Sequence, residues 1–377
     1  MNSNLWPARL YALDVSRSIA ALSVVFWHWQ HFAYNGTFPP DNVNRSNQPL
    51  YGLFRIFYEK GSMGVDYFFL LSGFIFFWLY KKPVSDRDVT FLNFWLQRFS
   101  RLYPLHFVTL IVVGLLQYIY LLRNSSFFVY PFNDIRHFIL NISFASHWGL
   151  QNGWSFNAPI WSVSIEIILY LLFFIVAYSH YGDLVFCLLV SFASYAAFYK
   201  LHHDIFRGLS MFFLGGFVFQ FTSIMFLKYR PYIKIIYITA IISWLMVFLN
   251  YYLWSLASFI GNLDIVELFF HKIFPIYILF PATVCSLALA EIVGDLNLRP
   301  ISWVGDITYS SYLLHFPLQL VFGLALSYGA ISSSTFNKPI FLLIFFSLLI
   351  SLSYLTFIYF ERPMQRVIRE RCSVRGR

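Results

Sequence analysis

Apolar residues in this chain neither alternate with polar ones nor recur once per helical turn; they gather in long blocks. The blocks cover roughly 12–33, 63–80, 98–121, 160–178, 184–199, 207–226, 232–254, 268–290, 304–328 and 339–360. A block of about 20 apolar residues crosses the hydrocarbon core of a bilayer as a helix. Backbone groups in lipid must be satisfied internally, so only helices and closed barrels span membranes. No strand-like alternation repeats along the chain, which excludes a barrel. The expected fold class is therefore all-α: a polytopic membrane protein of about ten transmembrane helices, forming one domain over residues 1–377. The first block is too long for a signal peptide, lacks a small-residue cleavage site after its apolar stretch and contains His28, so it reads as a retained helix.

Composition sharpens this picture. Charged residues make up 11% of the chain, against roughly 25% in soluble domains. Apolar types reach 59%, with 46 Phe, 26 Tyr and 11 Trp. A soluble fold of this size could not hide so much apolar surface. Soluble globular, disordered and nucleic-acid-binding classes are excluded, although Lys and Arg number 26 against 17 acidic residues. With the N-terminus placed in the cytoplasm, ten crossings put 17 of the 26 basic residues on the cytoplasmic side and nine outside. That bias favours both termini being cytoplasmic. The basic tail, 362–377, is expected to lie against anionic headgroups. Cys187 and Cys285 sit inside apolar blocks and read as core residues.

Ionisable groups inside a membrane are costly and mark candidate chemistry. Arg17 and His28 share the first block, 11 residues apart. That spacing places them on one helix face, about 16 Å apart along the axis. Asp66 opens the second block, and Glu166 lies within the first two turns of the fourth. His315 lies in the ninth, two residues before Pro317. A packing role there would be to serve the ladder that the proline breaks. Arg98 and Arg101 stand at the start of the third block with i, i+3 spacing, so both guanidinium groups share a face suited to phosphate. The expected depths divide these groups into Arg17, Arg98 and Arg101 at the cytoplasmic face, and His28, Asp66, Glu166 and His315 deeper. No metal site is read. Read from these residues alone, a transporter or flippase that uses His28, Asp66 and Glu166 as a proton relay remains an alternative.

At these positions the sequence closely resembles the acyltransferase-3 family of integral membrane acyltransferases, whose members acylate bacterial surface sugars and other acceptors. The Arg-x10-His element matches Arg17 and His28. The Gly-Val-Asp-x-Phe-Phe-x-Leu-Ser-Gly-Phe element matches Gly64 to Phe74, and Arg-Phe-x-Arg-x-x-Pro matches Arg98 to Pro104. Trp-Ser-x-x-x-Glu matches Trp161 to Glu166. Ser-Tyr-x-x-Tyr-Leu-x-His-x-Pro is close to Thr308 to Pro317, with Thr308 in the serine place. A late Phe/Ile-Glu-x-Pro element matches Phe360 to Pro363. One departure is Ser18, where glycine usually follows the arginine.

The resemblance implies transfer of an acyl group, acetyl being commonest, from acyl-coenzyme A at the cytoplasmic side. The implied acceptor is a hydroxyl of a surface carbohydrate such as O-antigen, capsule or exopolysaccharide, free or lipid-linked. A lipid or other non-sugar acceptor is the nearest alternative. Arg17, Arg98 and Arg101 would hold the donor's phosphates, and His28 would be catalytic as general base or acyl carrier. Asp66 or Glu166 would support His28, with Glu166, Trp161 and His315 also placed toward the acceptor. Trp154 beside them would stack on a sugar. The implied setting is the bacterial inner membrane, with no attached esterase-like domain, and the implied partners are acyl-coenzyme A, the acceptor and membrane lipids.

Overall fold

The structure, a computed structural model, describes residues 6–39, 44–253 and 269–374. Among the described residues it is helical, with one isolated bridge between Asn35 and Phe38 in place of strands. Ten long helices follow the apolar blocks: α1 (Tyr11–His28), α2 (Gly64–Leu79), α3 (Phe91–Asn124), α4 (Trp161–Tyr178), α5 (Leu184–Leu201), α6 (Asp204–Lys228), α7 (Ile233–Phe248), α8 (Phe280–Val293), α9 (Thr308–Ser327) and α10 (Pro339–Thr356). Nine spans of the described residues are long and apolar enough to cross a membrane; α1 is diluted by Asp14, Arg17 and His28. The fold is that of an all-α polytopic membrane protein. The expected end of the seventh block at 254 and start of the eighth at 268 lie outside the described residues.

Local chemistry sets the boundaries. The Thr90 hydroxyl accepts from the Asn93 amide at 3.3 Å, so α3 opens at Phe91, seven residues before the expected 98. Its 34 residues extend about 51 Å. Arg98 and Arg101 therefore lie about two turns inside a helix and not at its start. At the other extreme α1 stops at His28, and the chain tightens into a 3₁₀ turn over Trp29–Ala33. The N-terminus of α1 is capped from a distance: Glu291 on α8 accepts the amides of Tyr11 (2.9 Å) and Ala12 (2.7 Å).

Contacts group the chain into two compact units. The first comprises Met1–Ala20, Val65–Asp88 and Leu171–Gly305. In it α2 and α6 meet backbone to backbone. A Cβ on Gly73 would lie 1.8 Å from the Phe212 carbonyl oxygen, and one on Gly215 would lie 2.0 Å from that of Leu70. This close approach lets Phe76, Phe77, Phe173, Phe212 and Phe213 meet edge to face. Cys187 and Cys285 are buried free thiols there.

The second unit comprises Ala21–Gly64, Val89–Tyr170 and Asp306–Arg377. Here α9 packs against α3 and α10. Pro317 in the middle of α9 has no N–H for the Leu313 carbonyl. The Asn157 amide supplies the missing donor at 2.9 Å. One aromatic cluster, with Trp29, Phe32, Phe336, Phe341 and Phe345, anchors the turn after α1. Another, with Phe128, Tyr130, Phe156 and Phe316, packs around Pro317 and the loop before α4.

Candidate active site

The second unit builds a histidine relay at the end of α1. His315 on α9 is fully buried, and its Nδ1 lies 2.6 Å from the Tyr312 carbonyl oxygen. A carbonyl only accepts, so Nδ1 carries the proton and a neutral His315 leaves Nε2 as an acceptor. That Nε2 lies 3.0 Å from His28 Nδ1. His28 Nδ1–H therefore donates to His315, which leaves the His28 Nε2 lone pair as the basic atom. His28 as a residue is half-buried.

The same helix turn fixes His28 from its backbone. His28 ends α1, where carbonyls lose their ladder partners. Gln319, four residues beyond His315, donates its amide to the His28 carbonyl at 3.0 Å. Its side-chain oxygen accepts from His31 Nδ1, also at 3.0 Å. Gln319 is fully buried and His31 nearly so. Neither residue was singled out from sequence. Their signal is spacing: His31 follows His28 by three and Gln319 follows His315 by four, each pair sharing a helix face.

A second cluster in this unit surrounds the arginines. The Tyr170 hydroxyl is hydrogen-bonded to Glu166, one turn before it on α4, and Arg98 and Arg101 lie close enough to act on that tyrosine electrostatically. Tyr309 on α9 donates to the Leu102 carbonyl at 2.6 Å and shares its surroundings with Glu166, Glu361 and Arg101. Glu361, 4% exposed, accepts from the Ser310 hydroxyl. The expected division by depth is thus redrawn: Glu166 stands with Arg98 and Arg101, and the partner of the His28 ring is His315. The Glu166 carboxylate is linked through Tyr170, one turn along its own helix, to the surroundings of Arg98 and Arg101, a link that linear depth along α4 does not reveal. Tyr309 and His315 are six residues apart, so the arginine layer and the imidazole pair are separated by about 9 Å along α9.

Trp161 opens α4 beside an aromatic group. The rings of His147 and Trp154 stack at 4.9 Å, and Trp161 stands 5.3 Å from His147 and 6.1 Å from Trp154. Before these rings, Asp134 caps the short helix Ile135–Ile142, and the His137 amide it accepts holds its carboxyl below the usual carboxylate range.

The first unit holds the other two expected residues, each in an ion pair. Both oxygens of Asp66 accept from Arg207, at 2.6 and 2.8 Å. Asp66 is 2% exposed. This is a two-pronged guanidinium–carboxylate pair, the geometry for which arginine is suited. Arg207 stands at the very start of the block 207–226. Arg17 lies 3.6 Å from Asp14, which also pairs with Arg9 at 2.5 Å. Ser18, the departure from the family pattern, turns its hydroxyl back to the Asp14 carbonyl at 3.2 Å. Among the described residues no group of three or more His, Cys, Asp or Glu is arranged to hold a metal.

Comparison with known proteins places this geometry in context. A family model described as an acyltransferase domain matches residues 10–358. The acyltransferase MdmB of Streptomyces mycarofaciens is 35% identical over 115 residues, which cover 30% of this chain and 27% of that relative. The chain thus matches little more than a quarter of that relative's length. No solved structure matches.

Proposed function

The chain belongs to the acyltransferase-3 family, and from that premise we propose that it transfers an acetyl group from acetyl-coenzyme A to a hydroxyl of a surface carbohydrate across the bacterial inner membrane, both termini facing the cytoplasm. The observation that carries this reading is the relay from His28 through His315 to the Tyr312 carbonyl, which leaves the His28 Nε2 lone pair as the base.

The chemistry follows from that tautomer. His28 Nε2 takes the proton of the acceptor hydroxyl as its oxygen attacks the thioester carbonyl. The charge that develops on His28 is stabilised through Nδ1–H by His315 Nε2, while the proton on His315 Nδ1 stays there, donated to the Tyr312 carbonyl. When the tetrahedral intermediate collapses, His28 returns the proton to the departing thiolate. The same Nε2 lone pair would serve an acyl-histidine route, so a covalent intermediate is a second outcome of the chemistry at this atom. Arg98 and Arg101 suit the phosphate-bearing end of the donor: two guanidinium groups share one helix face, and Tyr170, Tyr309, Glu166 and Glu361 surround them. The rings of Trp154 and Trp161 suit a sugar face.

Mass spectrometry of cell-surface glycans, with and without the gene, tests the reading. Acetyl-sized mass differences restored by the wild-type gene but not by His28→Ala support it. Unchanged glycans together with acetylation of a lipid overturn the carbohydrate acceptor. Failure of the purified protein to consume acetyl-coenzyme A overturns the donor.

A further inference from the structure

The proposed chemistry gives no part to the helix after α10, yet the structure ties that helix and the turn before it to the arginine layer at two points. After α10 the backbone widens into a π-turn over Phe357–Glu361, then runs on as the helix Arg362–Val374. A π-turn adds a residue to the ladder and re-aims the side chains that follow. Here it carries Glu361 inward, where the carboxylate accepts from Ser310 and lies within electrostatic range of Arg101. Two turns further on, Arg369 Nε donates to the Ser100 hydroxyl at 3.2 Å. Ser100 is fully buried between Arg98 and Arg101 in the sequence.

The helix Arg362–Val374 is also strongly two-faced. Met364, Gln365 and Ile368 are half-buried, whereas Arg362, Arg366 and Arg369 are exposed. Spacings of four and three residues put the three arginines in one stripe, about 10 Å long. Glu370, at its edge, offsets part of the charge. The stripe is too long for one small phosphate and fits a row of headgroups. Its height is fixed covalently, because the helix begins directly where a membrane-length helix ends. A basic amphipathic helix at that level meets the anionic surface of a bilayer.

We propose that the helix Arg362–Val374 is a strap that binds the headgroups of anionic phospholipids and, through Arg369–Ser100 and Glu361–Arg101, sets the positions of Arg98 and Arg101. Donor binding would then depend on the lipid beneath the enzyme. The coupling half rests on the proposed role of the two arginines; the lipid half does not.

Full-length protein in nanodiscs of phosphatidylcholine alone, or with phosphatidylglycerol, provides the test, with two readouts. Hydrogen exchange of residues 362–374 should slow in the anionic discs. Each arginine near an anionic surface contributes about fivefold in association, so Arg362→Gln with Arg366→Gln should remove about 25-fold of that lipid-dependent protection. The KM for acetyl-coenzyme A should be lower in the anionic discs, and the double variant should lose that difference. Equal exchange in both lipids overturns the strap. Lipid-dependent exchange with an unchanged KM overturns the coupling. If acetyl-coenzyme A is not turned over in any disc, the donor reading falls, while the exchange data still decide the strap.

Discussion

At the residue scale, the paired imidazoles divide labour by tautomer. Removing the base removes the chemistry: His28→Ala should lower kcat by about 10²- to 10⁴-fold while the protein still reaches the membrane, measured as acetyl-coenzyme A turnover against expression. His315 touches no reactant in this scheme; it orients His28. His315→Ala should therefore retain part of the activity. His315→Gln keeps an oxygen acceptor for His28 Nδ1–H and should exceed the alanine variant by about fivefold in kcat, the worth of roughly one hydrogen bond. Equal rates for the two variants would remove His315 from the relay. His28 was legible through its spacing from Arg17 and the family pattern. The partner of its ring was not, because sequence offered two carboxylates for that task and the fold engages them elsewhere, Asp66 with Arg207 and Glu166 with Tyr170.

At the scale of the element, α9 shows how a broken helix is completed. The packing role considered for His315 beside Pro317 belongs to Asn157, whose amide serves the Leu313 carbonyl. Asn157→Ala should destabilise the protein by about 1–3 kcal/mol, because the carbonyl is left buried and unserved. Pro317→Ala returns a backbone N–H to that carbonyl, so in its presence Asn157→Ala should cost much less. A double-mutant cycle by thermal unfolding in detergent checks this, and additive losses would overturn the compensation. The proline was plain in the sequence, and with it the unserved carbonyl. The donor was not, since it arrives from 156 residues away. The early start of α3 has another cause: Phe91, Leu92, Phe94, Trp95 and Leu96 are apolar and the Thr90 cap starts the helix there, whereas the expected block began only at 98.

At the scale of the molecule, each unit depends on contacts that only assembly creates. In the first, Asp66 and Arg207 come from helices 141 residues apart. Asp66→Ala should cost about 3 kcal/mol, the low end for a broken buried pair, because the partly buried Arg207 keeps Asp204 at 3.6 Å, and replacing both partners together (Asp66→Leu with Arg207→Met) should recover most of it. Equal loss in the single and double variants would count against the pair. Gly73 belongs to the motif that carries Asp66, and its structural task is contact. Gly73→Ala drives a Cβ into the Phe212 backbone, so folded yield by size-exclusion chromatography should fall sharply.

The sequence by itself determined the fold class, the membrane-length helices and the family, because lipid demands long apolar runs and the motifs are local strings. It also named the ionisable groups, since charge inside such runs is rare and costly. Only the tertiary structure decided who meets whom. It joined His28 to His315, Asp66 to Arg207, Glu166 to the arginine layer and Asn157 to the gap at Pro317. The physical reason is that hydropathy fixes where a residue lies along its helix, whereas a hydrogen bond depends on which face of which neighbouring helix stands within about 3 Å.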